Sequence, residues 1–95
     1  MIVINYLYGC PYCKNAEEML KMNNIPYTKT TVTQKNKESY KKKYQMGTFP
    51  QIFYRSSKLH KIGGSDELNA LIQVSKILKS NNFNQATLSY FKQHV

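Results

Sequence analysis

The two cysteines of this chain, Cys10 and Cys13, stand together in the segment Gly9-Cys10-Pro11-Tyr12-Cys13. A dithiol at this spacing is suited to thiol–disulfide exchange. The apolar run Ile2-Val3-Ile4-Asn5-Tyr6-Leu7 reads as a buried strand and the residues after the motif read as a helix, so Cys10 falls at a strand-to-helix turn. There the helix N-terminal N–H groups and dipole stabilise its thiolate, the attacking species. Attack by Cys10 on a disulfide gives a mixed disulfide, which either a second thiol or Cys13, one turn into the helix, can resolve. Cys10 is the expected nucleophile and Cys13 the resolver. A zinc reading would need two more ligands, and His60 and His94 are not at the spacing of a zinc hairpin or finger. No metal is expected. An inert buried pair is disfavoured because Gly9 and Pro11 put Cys10 in a turn.

Several elements must position this motif. Cys13, Ala16 and Leu20 recur at helical spacing from about Pro11 to Asn23, with Glu17 and Lys21 expected to pair on the wet side. Pro11 suits the first turn, and Asn23-Asn24 before Ile25-Pro26 is a stop signal. Residues Tyr27 to Thr33, rich in Thr, Tyr and Val, read as a second strand, parallel to the first through a right-handed crossover. From Asn36 to Met46 the only apolar periodicity is Tyr40 with Tyr44 among lysines, the mark of a short, poorly buried helix. Gln51 to Arg55 and Leu59 to Ile62, around Ser56-Ser57-Lys58, read as an antiparallel hairpin that Gly63-Gly64 ends. Leu68, Leu71, Ile72, Ser75 and Leu78 trace one face of a helix from about Asp66 to Lys79, with Asp66 and Glu67 at its start and Lys76 and Lys79 at its end. The spacing of Phe83, Thr87, Leu88, Phe91 and Val95 permits a short amphipathic helix in the extension 81–95.

A chain of 95 residues with 41% hydrophobic content suits one domain, 1–95, with one core. The cysteines would close too small a loop to staple a secreted fold, so a reducing compartment is expected. The start has no basic n-region, and its apolar run is far short of a membrane span or signal h-region. A cytoplasmic chain without membrane attachment is the expectation. Fourteen Lys+Arg against five Asp+Glu give a formal charge of +9, a field that attracts anions without choosing among phosphate, acidic protein and carboxylate-bearing peptide.

From Ile2 to about Leu78 the chain resembles the dithiol glutaredoxins, on three motifs in family order and spacing. They are Cys10-Pro11-Tyr12-Cys13; Thr48-Phe49-Pro50-Gln51-Ile52-Phe53, similar to the family's Thr-Val-Pro-Gln-Ile-Phe; and Gly63-Gly64-Ser65-Asp66-Glu67-Leu68, similar to its Gly-Gly-x-Asp-Asp/Glu-Leu. The resemblance implies an α/β, thioredoxin-like fold: a four-stranded mixed sheet in the order β-α-β-α-β-β-α with helices on both faces. It also implies a glutathione-dependent thiol–disulfide oxidoreductase. Such an enzyme reduces protein–glutathione mixed disulfides through Cys10 alone and protein disulfides through Cys10 and Cys13. Glutathione is then the co-substrate, and the partners are glutathionylated or disulfide-containing proteins met by a monomer.

The same resemblance assigns a glutathione site. Pro50 is cis beside the active cysteine, so the main chain of Phe49 pairs with the cysteinyl part of glutathione in a strand-like way, Thr48 preceding it. Gly63-Gly64 allow a tight turn. The N–H groups of Ser65 and Asp66 suit the γ-glutamyl carboxylate, and the Asp66 side chain can receive its ammonium. Simple capping by Ser65 and Asp66 is compatible with that role. Tyr12 packs along the groove, Tyr8 reads as half-buried packing, and Lys37, thirteen residues before Pro50, fits a position that meets the glycyl carboxylate. Where the family commonly has Lys three residues before the nucleophile, this chain has Leu7. Lys14 and the Lys41–Lys43 run are the candidate replacements.

Three other readings compete. An iron–sulfur cluster bridged by two protomers and two glutathiones is disfavoured by Pro11-Tyr12, since the dedicated carriers of the family have one cysteine followed by Gly. A thioredoxin-like reductase fed by a flavoenzyme instead of glutathione draws on Leu7. Nucleic-acid binding draws on the charge and on Tyr40-Lys41-Lys42-Lys43-Tyr44, but no recognised motif supports more than non-specific attraction.

Overall fold

The apolar run at the start of the chain forms β1 (Ile2–Leu7), and the residues that follow Cys10, with Pro11, Tyr12 and Cys13 of the motif among them, form α1 (Pro11–Met22). Then follow β2 (Tyr27–Val32), α2 (Lys37–Tyr44), β3 (Gln51–Arg55), β4 (Leu59–Gly63) and α3 (Ser65–Ile77). The structure, a computed structural model, describes residues 1–77. The expected helix over 83–95, and with it the domain reading to residue 95, lies outside the described residues. Among the described residues no helix is long and apolar enough to cross a membrane.

The four strands form one sheet in the order β2-β1-β3-β4. β1 pairs parallel with β2, from Ile2 opposite Tyr27 to Leu7 opposite Val32, and antiparallel with β3, where Asn5 faces Gln51. The β3–β4 pair is antiparallel with an irregularity between Ile52 and Phe53. Alternation along the strands divides the side chains between two faces. On one face Ile2, Ile4, Ile52 and Tyr54 pack with Ala16 and Leu20 of α1 and Leu68 and Ile72 of α3 to make the main core. A smaller cluster of Cys13, Val32 and Phe49, joined by Leu7 and Tyr40, closes the end of the sheet where β1 and β2 finish.

The other face is more polar. Asn5 and Gln51 are buried there, and the Asn5 Nδ2 amide donates to Gln51 Oε1 at 3.1 Å. Gln51 Nε2 in turn donates to the Met46 carbonyl at 3.4 Å, so neither amide lacks a partner. α2 covers this face with no buried residue of its own. Its rings do the packing: Tyr40 and Tyr44 stack at 6.0 Å, and Tyr44 meets Phe53 at 5.0 Å.

Local chemistry sets the boundaries. α1 stops where Asn23 turns its side chain back to the Met19 carbonyl at 2.8 Å and Asn24 takes a φ of 55°. α2 is shorter than its lysine-rich sequence suggests, because Gln45 adopts the left-handed conformation and its N–H closes onto the Lys41 carbonyl. Asn36 holds the N-cap position of that helix, but its side chain makes no capping bond; its Oδ1 accepts from the Thr33 N–H at 2.8 Å and closes the preceding turn. The expected Glu17–Lys21 pair is replaced by tertiary partners. The Glu17 carboxylate accepts from the Tyr27 hydroxyl at 2.8 Å and pairs with Lys29 at 3.1 Å, both on β2. Burial pushes this carboxyl up, but Tyr27 and Lys29, with Lys21 further off, outweigh it and hold it below its ordinary 4.5.

Candidate active site

The turn between β1 and α1 presents the first thiol. Gly9 takes a φ of 82°, a conformation that glycine adopts without a Cβ clash, and the Cys10 N–H returns to the Leu7 carbonyl at 3.1 Å. Cys10 is the N-cap residue of α1, with extended backbone and no capping bond from its side chain, and Pro11 takes the first helical position. The Cys10 side chain stays partly exposed and is free, as is Cys13. An exposed sulfur at this point can meet a disulfide brought by another molecule.

Cys13 lies one turn further and is fully buried against Val32 and Phe49. The Leu7 N–H donates to its Sγ at 3.3 Å. Burial pushes the Cys13 thiol up from 9.0 to about 12; the Leu7 N–H works against this, while hydrogen bonding and charge at Cys10 add to it. One sulfur is open to solvent and the other is held as a buried thiol, a chemical asymmetry within a single helical turn.

Residues from three distant parts of the chain meet beside Cys10. The Phe49–Pro50 bond is cis, and the Cys10 Sγ faces the Phe49 carbonyl at 3.8 Å. Thr48, Phe49 and Pro50 line a groove of about 230 Å³ with Tyr12 of α1 and with Gly64, Ser65 and Asp66 at the start of α3. The Leu68 N–H bonds to the Gly64 carbonyl at 3.0 Å, which leaves the N–H groups of Ser65, Asp66 and Glu67 without intrahelical partners. Helix ends of this kind accept anions.

Lys37 does not line this groove; it sits half-buried at the start of α2. Lys14 and Lys41–Lys43 are likewise absent from its lining. Leu7 packs into the small cluster around Cys13, so the position where a family Lys is common is here apolar. Tyr8 is 73% exposed, against the expected half-buried packing, and Tyr12 is 65% exposed. Glu67 lines the groove without having been singled out in the sequence. Its side chain folds back over Gly63, where a Cβ would come within 2.8 Å of Glu67 Cγ. The signal was its place as the second acid of the Gly-Gly-x-Asp-Glu motif, which a favourable charge at the start of a helix explained equally well.

The family model described as glutaredoxin matches residues 2–58. A glutaredoxin 1 of Rickettsia typhi is 36% identical over 95 residues, covering 93% of this chain and 88% of that protein. A glutaredoxin 1 of Rickettsia prowazekii is 39% identical over 71 residues, covering 70% of this chain and 72% of its own length. Among solved structures, the glutaredoxin of Brucella melitensis superposes with a TM-score of 0.62 at 29% identity, over 82% of this chain and 84% of that one. Glutaredoxin 1 of Francisella tularensis, solved in complex with cacodylate, gives 0.63 at 28% identity over 83% and 96%. The mixed four-stranded sheet with its three helices is the thioredoxin-like fold of these proteins.

Proposed function

This chain belongs to the glutaredoxin family and is a thiol–disulfide oxidoreductase, and we propose that it draws its electrons from glutathione. The observation that carries this reading is the groove beginning where Cys10 Sγ meets the Phe49 carbonyl at 3.8 Å and ending at the open N-terminus of α3. An extended tripeptide with a central thiol and a terminal carboxylate suits that arrangement. Its cysteinyl main chain would lie along Phe49, and its γ-glutamyl carboxylate at the N–H groups of Ser65 and Asp66, with the ammonium at the Asp66 carboxylate. Thr48, Pro50, Gly64 and Tyr12 wall the same groove.

In the one-cysteine route the Cys10 thiolate attacks the glutathione sulfur of a protein–glutathione disulfide. A Cys10–glutathione bond forms, and the protein sulfur leaves and takes up a proton. A second glutathione thiolate then attacks the bound glutathione sulfur, releasing glutathione disulfide and restoring Cys10. In the two-cysteine route Cys10 attacks a protein disulfide, and Cys13, on losing its proton, attacks the Cys10 sulfur and expels the protein thiolate. Two glutathiones then reduce the Cys10–Cys13 disulfide, their own sulfurs ending as glutathione disulfide.

A glutathione-coupled assay on a glutathionylated peptide tests the reading. Activity is expected to vanish in Cys10→Ser and persist in Cys13→Ser. A fully active Cys10→Ser enzyme, or wild-type turnover supported by a thioredoxin reductase and not by glutathione, would sink it.

A further inference from the structure

A second groove of about 420 Å³ runs between α1 and α3 and shares Tyr12, Ser65 and Asp66 with the first, so that the two adjoin and are taken together as one trough. Along α1 it is lined by Met19, by Met22, which is 83% exposed, and by Glu18. The charge of the trough opposes that of the chain. Of five acidic residues in the sequence, Glu18, Asp66 and Glu67 line it, while among the described residues no Lys or Arg does. The lysine-rich α2 contributes no residue to either wall. A protein of formal charge +9 thus keeps an acidic, methionine-lined channel leading away from its reactive groove.

We propose that this α1–α3 groove receives the polypeptide flanking the modified cysteine of the protein substrate, and that it selects flanks combining an apolar side chain with a cation. The proposal rests on the glutathione reading above and names the protein half of the same substrate. Glutathione in the first groove takes Asp66, and the second groove begins at the shared wall of Tyr12 and Ser65. Methionine side chains are flexible and polarizable, so Met19 and Met22 can accommodate varied apolar residues. Glu18 then supplies the charge that a Lys or Arg of the substrate meets. The long-range field of the chain argues the other way, since it attracts acidic substrates. The two ideas therefore predict opposite preferences.

The test compares two glutathionylated peptides identical except that a Leu next to the cysteine is followed by Lys in one and Glu in the other. Wild type is expected to turn over the Lys peptide with a kcat/KM about threefold higher, the scale of one exposed charge pair. Glu18→Lys is expected to erase or invert that ratio. Glu38→Lys makes the same change of net charge on α2, away from the trough, and is expected to keep it. A wild-type preference for the Glu peptide, or equal shifts of the ratio in both variants, overturns the proposal in favour of the general field. Equal turnover of both peptides by wild type leaves the groove to another occupant and overturns it too. The disulfide of free cysteine with glutathione separates the two readings. If glutathione supports no turnover even of this minimal substrate, the proposed function fails; if it does and the peptides are indistinguishable, only the groove assignment fails.

Discussion

Burial of Cys13 makes the second half of the two-cysteine route slow at neutral pH and strongly dependent on alkali. With Cys10 free, the thiol is pushed from 9.0 to about 12, which lowers its thiolate population near neutrality by about a thousandfold, an upper limit for the mixed disulfide. Each thiolate formed is more nucleophilic, by roughly twentyfold for a Brønsted slope of about 0.4–0.5, leaving a deficit of at most about fiftyfold relative to an unburied thiol in the same place. Once Cys10 is tied up in a mixed disulfide, its own hydrogen bond and charge no longer raise Cys13. Burial, the largest cause, still does, and the Leu7 N–H at 3.3 Å still opposes it. Ring closure is therefore expected to accelerate about tenfold per pH unit through neutrality and to keep rising past pH 9.0. The measurement is stopped-flow release of thionitrobenzoate from its mixed disulfide with Cys10, as the Cys13 thiolate attacks the Cys10 sulfur and the coloured thiolate leaves. Cys13→Ser should release none. A plateau at or below pH 9.0 would refute the reasoning, because it would mean that the buried thiol ionises as an exposed one does. Attack by external glutathione levels off sooner, near the ordinary thiol range of about 8.5, so the one-cysteine route should dominate near neutrality.

Two stability predictions accompany it. Gly63→Ala forces a side chain onto a φ of 126° and into Glu67, and should cost about 1–3 kcal/mol in urea unfolding. At Gly64 the nearest neighbours of an added Cβ lie at 3.9 and 4.0 Å, so Gly64→Ala should show no comparable loss. Glu17→Gln removes a carboxylate whose folded pKa lies below 4.5, a contribution present above that pH and lost as pH falls through the folded value. The variant should be less stable than wild type by about 0.5 kcal/mol near neutrality and converge with it in acid, read by thermal unfolding at several pH values.

The sequence made the strand-to-helix turn plain because its signals are local. An apolar run precedes Cys10, Pro11 fits the first turn of a helix but not its interior, and Ala16 and Leu20 repeat the burial period of Cys13. Tertiary choices were not legible in the same way. Glu17 had Lys21 one helical turn away, yet the parallel pairing of β1 with β2 brought Tyr27 and Lys29 to it. The end of α2 depended on Gln45 turning left-handed, which nothing in a run of lysines announces. Within the site, the motifs gathered Tyr12, Thr48, Phe49, Pro50, Gly64, Ser65 and Asp66 around one groove, whereas Lys37, placed by spacing alone, is not part of its lining. Glu67 was hidden by a dipole-matching role that fits any acid in a first helical turn.

The buried amides of Asn5 and Gln51 act as a registration mark for the two chain segments that build the site. Cys10 follows β1 five residues after Asn5, and Phe49 precedes Gln51 by two, so the pairing of these amides helps set which stretch of the 46–50 loop Cys10 faces. A slip of one residue between β1 and β3 would exchange the faces of every side chain on the moved strand, driving an amide into the apolar core. An all-aliphatic pair at these positions would penalise that error far less. The polar pair thus aligns two backbones across the sheet, so that a sulfur and a carbonyl thirty-nine positions apart in sequence meet in the same place in each folded copy.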